Sequence, residues 1–457
     1  MVGLRLLSSI CQVYAGPAGR ARPLAWPHLT GRPGAGHVGR CMDGPVHLAA
    51  SRAMSEVDST YAWIRLAAAL LIGTIGSVGM WSVVVALPAV EAEFGAARAD
   101  ASLPYTLAMV GFGAGTLIIG RLVDRLGIVL PLFGGALLLG LSFVASGLAG
   151  SLAIFAVMNL LIGFGSSATF APLLADISHW FKRRIGFAVA VCASGNYLGG
   201  ALWPPIVQRL IEAHGWRTNQ VVVGLICIAV MLPLVLVLTR KLAVAQAAST
   251  DATASSANAS LGLDPRLLAA LLCLAGLSCC IAMSMPQVHI VAYCGELGYG
   301  VARGAEMLSL MLGFGIVSRI ASGFMADRIG ALATLLIGSV LQGSALFLYL
   351  LHDGLTPLYV ISALFGLFQG GIVPMYALIV REYFPRKLAG TLVGLVIMST
   401  IVGMAAGGWM SGAIFDVTGS YWPAFANGLA WNVLNGAIAL FLLVRRSRMD
   451  RWRPAPA

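Results

Sequence analysis

Gly120-Arg121-Leu122-Val123-Asp124-Arg125-Leu126-Gly127 and Gly323-Phe324-Met325-Ala326-Asp327-Arg328-Ile329-Gly330 are two copies of one pattern, G-x-x-x-D-R-x-G, set 203 positions apart. Each copy closes one long apolar run and precedes another. A second pair follows in the same register. Trp180-Phe181-Lys182-Arg183-Arg184 answers to Tyr383-Phe384-Pro385-Arg386-Lys387, with Phe181 and Phe384 again 203 positions apart. Gly186 pairs with Gly390, and Gly215 with Gly419, at an offset of 204, as one inserted residue would produce. Four loop matches in register define a duplication. Both copies have the same topology, so the axis relating them runs along the membrane normal.

The runs between these loops decide the solvent. Of 457 residues, 59% are hydrophobic and only 10% are charged, and the mean hydropathy is +0.88. A soluble domain carries about 25% charged residues. Roughly 20 apolar residues span a bilayer, and twelve stretches qualify: Leu66–Val90, Leu103–Gly120, Ile128–Ala149, Leu152–Leu174, Phe187–Leu210, Asn219–Thr239, Arg266–Ile290, Gly304–Gly323, Ala331–Leu351, Thr356–Val380, Thr391–Phe415 and Pro423–Val444. The expected fold is therefore an all-α membrane protein, with twelve transmembrane helices in two pseudo-symmetric six-helix bundles. The expected divisions are a disordered extension over 1–60, a first bundle over 61–239, a cytoplasmic linker over 240–264, a second bundle over 265–444 and a basic tail over 445–457. The extension is rich in Gly, Pro and Arg, and Arg5 interrupts its only candidate signal-peptide core. Met54 is a candidate translation start, which would leave residues 1–53 outside the mature chain; intact mass tests this.

The net charge of +11 follows the loops. With the N-terminus inside, Arg121, Arg125, Lys182, Arg183, Arg184, Arg240, Lys241, Arg266, Arg328, Arg381, Arg386 and Lys387 fall on the inner side, and only Arg98, Arg209, Arg217 and Arg303 outside. By the positive-inside rule both termini are cytoplasmic. The expected setting is a cell membrane of bacterial inner-membrane type, with a monomeric chain in the bilayer and no nucleic-acid partner. The eight cysteines show no metal or C-x-x-C spacing and read as packing residues. No nucleophile elbow, metal triad or Walker-type loop is present, so neither an enzyme nor a cofactor is expected.

The repeated G-x-x-x-D-R-x-G loop resembles the signature of the major facilitator superfamily over about Tyr61 to Val444. The resemblance implies the major facilitator fold and alternating access. Its loop residues Gly120, Asp124, Arg125, Gly127, Gly323, Asp327, Arg328 and Gly330 are a candidate conformational latch, in which a carboxylate such as Asp124 meets the N-terminal dipole of a helix in the other half. The plainer alternative is a tight turn with a solvated charge pair. At Ile128 and Ala331, where that family commonly carries a basic residue, this chain has none. Trp180-Phe-Lys-Arg-Arg184, Gly195-Asn196-Tyr197-Leu-Gly199-Gly200, Trp203-Pro204-Pro205 and Asp416-Val-Thr-Gly419-Ser420-Tyr421 resemble the monocarboxylate porters and oxalate/formate antiporters. That resemblance implies small organic anions, mono- or dicarboxylates, as substrate.

Arg319 is the residue on which this expectation rests. It lies inside the eighth apolar stretch, where an ionisable side chain is a functional-site hypothesis by default. It matches the arginine that holds the substrate carboxylate in the monocarboxylate porters, and a guanidinium can fork a carboxylate bidentately. The alternative is that Arg319 snorkels to the nearby interface. Those porters place an aspartate where this chain has Gly315 and a lysine where it has Trp81, so proton coupling by their route is not expected; His289 and Glu306 are the remaining candidates for it. Asn196, Tyr197, Trp81, Gln287, Gln369 and Tyr376 are candidate cavity-lining residues, because polar groups in membrane helices turn away from lipid. Efflux of drug-like or metabolite cargo is the alternative within transport, and a non-transporting membrane sensor the alternative outside it.

Overall fold

The computed structural model describes residues 57–181, 185–239 and 261–451. Most of the expected extension (1–60), much of the linker (240–264), the loop residues Lys182, Arg183 and Arg184, and the last residues of the tail lie outside the described residues. The described elements are helices: α1 Thr60–Phe94, α2 Arg98–Leu126, α3 Val129–Gly147 and α4 Leu152–Trp180. Next comes one helical run, Phe187–Val237, of 51 residues. At about 1.5 Å per residue it would be more than twice the ~30 Å hydrocarbon core. Gly215, at φ 80 and ψ 161, breaks it into α5 (187–214) and α6 (216–237). Then follow α7 Pro265–Glu296, α8 Val301–Ile329, α9 Ala331–Leu351 and α10 Leu355–Tyr383, α11 Arg386–Thr418 and α12 Trp422–Arg451. The described chain thus crosses twelve times, and both of its ends lie on one side, called here the termini side.

The duplication is legible in the packing. A Cβ placed on Gly163 would lie 1.9 Å from the carbonyl oxygen of Ala108, and one on Gly366 would lie 1.9 Å from that of Met311. Both pairs are 203 positions apart. They seat α4 on α2 and α10 on α8 at backbone contact, the small-residue packing that replaces a hydrophobic driving force in lipid. The turn glycines agree as well: Gly127 and Gly330 have φ 78 and 87, and Gly215 and Gly419 have φ 80 and 66, a region that L side chains avoid.

Local chemistry sets the helix ends. Ser59 caps α1, its hydroxyl accepting from the Ala62 N–H at 3.3 Å. Asp264 caps α7 by accepting from the Arg266 N–H at 2.7 Å, with Pro265 in the first turn. Several boundaries differ from expectation, most of them by helices that run longer than the apolar stretch. The first helix starts at Thr60, ahead of Leu66, and carries Arg65 into the membrane. Arg65 is only 2% exposed, but it forks Asp176 of α4 at 2.7 and 2.8 Å and donates to the Leu238 carbonyl at 2.9 Å. A charge paired in this way is tolerated inside the bilayer. The last helix runs on to Arg451, past the expected end at 444.

Candidate functional site

The two halves meet along α2 with α11 and along α5 with α8, and α1 also touches α7. Both main seams are tight away from the termini side. At the start of α2, the backbone N–H groups of Arg98 and Ala99 donate to the Asp416 carboxylate of α11 at 2.8 and 2.7 Å. This is a carboxylate from one half on the N-terminal dipole of a helix in the other. The Arg98 guanidinium pairs with Glu91 of α1 and Glu296 of α7, each at 2.7 Å. It donates to the Tyr421 hydroxyl at 2.7 Å and lies over the Phe415 ring at 4.5 Å. His289 continues the network, 3.0 Å from the Tyr421 hydroxyl and 2.8 Å from the Gly408 carbonyl. Deeper in the same seam, Thr106 donates to the Ala405 carbonyl at 3.1 Å, and Gly113 lies against Met398. In the other seam, Ser309 donates to the Ala201 carbonyl, and Gly200 lies against Leu312.

Toward the termini side both seams open. A Cβ at Gly120, Gly323, Gly390 or Gly394 would meet nothing within 4 Å. Asp124, Arg125, Asp327 and Arg328 are exposed, and among the described residues none of the four has a hydrogen-bonding or ion-pair partner. The halves are therefore in contact on the side away from the termini and open at these positions on the termini side. The carboxylate-on-dipole contact that the sequence suggested for Asp124 is realised at the opposite end, by Asp416.

Arg319 stands in the α5–α8 seam one turn before Gly323, where a Cβ would meet nothing within 4 Å. It is partly buried. Its guanidinium carbon sits 4.3 Å from the Tyr197 ring centroid, on α5 of the other half. Its Nε donates to the Gly370 carbonyl of α10 at 3.4 Å. Among the described residues it has no acidic partner, whereas Arg65 and Arg98 are both paired. Gly315, one turn earlier, makes the ring contact possible: a Cβ there would lie 2.3 Å from Tyr197 Cε1.

The other expected lining residues divide. Trp81 is 5% exposed and stands beside Gly200 and Leu312, its indole N–H without a partner among the described residues. Gln369 is fully buried next to Gly370, with neither amide atom bonded among the described residues. Asn196, adjacent to Tyr197, faces a different place: a small recess inside the first half with Ser77, Met80, Phe112 and Thr169, at the interruptions of α1 and α4. Gln287 is buried in α7. Tyr376 is fully buried, and its hydroxyl donates to Asn435 of α12 at 2.7 Å, which commits it to packing within the second half rather than to the cleft. His289 has both ring nitrogens engaged in the closed seam. Glu306 pairs with Arg303 at 3.1 Å and accepts from the Tyr359 hydroxyl near the closed side. Arg98, expected in an outer loop, is instead the first residue of α2 and the hub of the closed seam. The signal that could have found it is the Asp416–Tyr421 motif: Asp416 accepts from its backbone N–H and Tyr421 from its guanidinium.

Two six-helix bundles, closed against each other on one side and parted on the other, define a multi-pass membrane transporter. The chain belongs to the Major Facilitator Superfamily, whose model matches residues 69–351 and 307–457. It moves a small molecule across the bilayer and is not an enzyme. Among its relatives, rat monocarboxylate transporter 13 is 27% identical over 395 residues, covering 82% of this chain and 86% of that one. The MFS-type transporter pynF of Aspergillus niger is 24% identical over 344 residues, covering 74% and 77%. A crystal structure of a bacterial homologue of the human lysosomal transporter Spinster, inward-facing and unoccupied, superposes with a TM-score of 0.66 at 16% identity, covering 87% of this chain and 100% of that one.

Proposed function

We propose that the protein carries small organic anions, mono- or dicarboxylates, by alternating access, with Arg319 as the group that holds the carboxylate. The supporting observation is a partly buried arginine within α8, at the seam between the halves beside Tyr197 and without an acidic partner among the described residues. An intramembrane cation in this position is costly unless an anion completes it. A carboxylate can take both terminal nitrogens of a guanidinium at once. Similarity to a monocarboxylate transporter supports the same class. The Lys and Arg distribution supports a cytoplasmic side for both termini and 240–264 as the linker between the bundles. The latch loops at Asp124 and Asp327 close in the state opposite to the one described. The chain acts as a monomer in a cell membrane of bacterial inner-membrane type; fractionation of the source cells tests the location. Of the two candidates for proton coupling, Glu306 and His289, neither has its side chain in the open cleft.

The test is uptake of radiolabelled mono- and dicarboxylates into proteoliposomes. Saturable carboxylate uptake that is lost in Arg319→Ala, with normal folding and monodispersity, supports the reading. Undiminished uptake in Arg319→Ala, or transport of apolar cargo that carboxylates do not compete, would replace it with the efflux reading.

A further inference from the structure

We infer that Tyr197 is the positioning residue for Arg319, holding the guanidinium from the other half of the molecule in place of a counter-ion; this rests on the anion-binding reading of Arg319. Three contacts define the arrangement. The guanidinium carbon lies over the Tyr197 ring, 4.3 Å from its centroid. The Gly370 carbonyl takes the Nε proton at 3.4 Å. The terminal nitrogens have no acceptor among the described residues. A guanidinium that rests on a ring and donates through Nε keeps its outer edge, and that edge carries the two parallel N–H donors that match a carboxylate. The guanidinium is thus restrained before substrate arrives, which lowers the ordering cost of binding.

Gly315 is part of the same device. A Cβ at 315 would fall 2.3 Å from Tyr197 Cε1 and 2.6 Å from Cδ1, inside the ring's own space. On its other side Gly315 packs on Gly370, where a Cβ would lie 2.3 Å from the Gly315 carbonyl oxygen. The bare backbone of α8 therefore lets a ring from α5 and a carbonyl from α10 approach the same arginine. An ion pair in this place would neutralise Arg319 and compete with an anionic substrate. A ring face stabilises the cation while leaving its charge and its donors available. Because Tyr197 and Arg319 belong to different halves, the fork is set only while α5 and α8 touch at this level.

The test is initial-rate carboxylate uptake in proteoliposomes by wild type and by Tyr197→Phe, Tyr197→Leu, Gly315→Ala and the double variant Tyr197→Leu/Gly315→Ala, with carboxylate-induced thermal stabilisation as a binding readout that needs no turnover. Loss of the cation–π contact is expected to raise KM about tenfold in Tyr197→Leu with kcat within about threefold. Tyr197→Phe, which keeps the ring, is expected to keep KM within about twofold. Gly315→Ala displaces the ring and is expected to match Tyr197→Leu, and the double variant to be no worse than either single one, since both remove the same contact. Equal KM in Tyr197→Leu and wild type, failure of Phe to rescue, or multiplicative losses in the double variant would overturn the inference. If Arg319→Ala abolishes saturable uptake while Tyr197→Leu leaves KM unchanged, the positioning role alone fails. If Arg319→Ala leaves uptake intact, the anion reading fails first.

Discussion

Replacing Asp416 by Ala is expected to open the side of the protein away from the termini. In the described state the carboxylate accepts two backbone N–H bonds from the first turn of α2, at 2.8 and 2.7 Å. These bonds exist only while the seam is closed; once it opens, Asp416 and the α2 N-terminus are both hydrated. Charge-assisted bonds contribute roughly 1.5–3 kcal/mol each when buried. Asp416 is exposed, so about 1 kcal/mol per bond is the appropriate scale, or ~2 kcal/mol for the pair. Every ~1.4 kcal/mol is tenfold, so the open population rises about 30-fold. The assay uses Ser102→Cys in a background without native cysteines. Ser102 is fully buried beside Gly412 in the seam, and its alkylation by a membrane-impermeant maleimide reports how often the seam parts. Labelling is expected to accelerate about 10- to 30-fold in Asp416→Ala. An unchanged rate in a folded protein would refute the assignment of Asp416 as a closing contact.

Other expectations follow from the same geometry. Arg65→Ala leaves the partly buried Asp176 (14% exposed) without its guanidinium partner and is expected to destabilise by up to ~3–5 kcal/mol, read as a clear fall in Tm in detergent. Gly163→Ala puts a methyl group 1.9 Å from the Ala108 carbonyl oxygen; overpacking of this kind costs ~1–3 kcal/mol or more, and loss of the monodisperse peak in size-exclusion chromatography is expected. Arg446→Ala breaks an ion pair with Glu382 at 3.2 Å in which both side chains are about one-third exposed; such surface pairs contribute ~0–1 kcal/mol, so Tm should barely move. An Arg446 variant as damaging as Arg65→Ala would show that exposure is a poor guide here.

The fold was legible in the sequence because the lipid imposes it. Apolar length sets the number of crossings, and the duplicated loops carry glycines that the backbone needs at positive φ, as at Gly127 and Gly330. Arg319 was legible for the complementary reason: a lone cation stands out against an apolar run. Arg65 and Arg98 were not, because hydropathy treats a charge as a boundary. Each became part of a helix only through a partner far along the chain, Asp176 in one case, Glu296, Asp416 and Tyr421 in the other. Polar residue type did not separate cavity from packing either. Tyr197 and Tyr376 both sit within helices, and only the neighbours in space set the Tyr197 ring against Arg319 and the Tyr376 hydroxyl on Asn435. Asn196 and Tyr197 are adjacent in sequence, yet a helix turns successive side chains by about 100°, which sends them to different partners.

Gly313 and Ala201 face each other across the α5–α8 seam, with 3.7 Å between the Ala201 Cβ and a Cβ built on Gly313. That spacing suits a disulfide, whose Cβ atoms lie ~3.5–4.5 Å apart. Ala201→Cys/Gly313→Cys, in a background without native cysteines, therefore tests whether the two halves must part on this side in every transport cycle. Oxidation is expected to stop solute uptake by proteoliposomes and reduction to restore it. Undiminished uptake by the fully cross-linked protein would contradict alternating access between these halves.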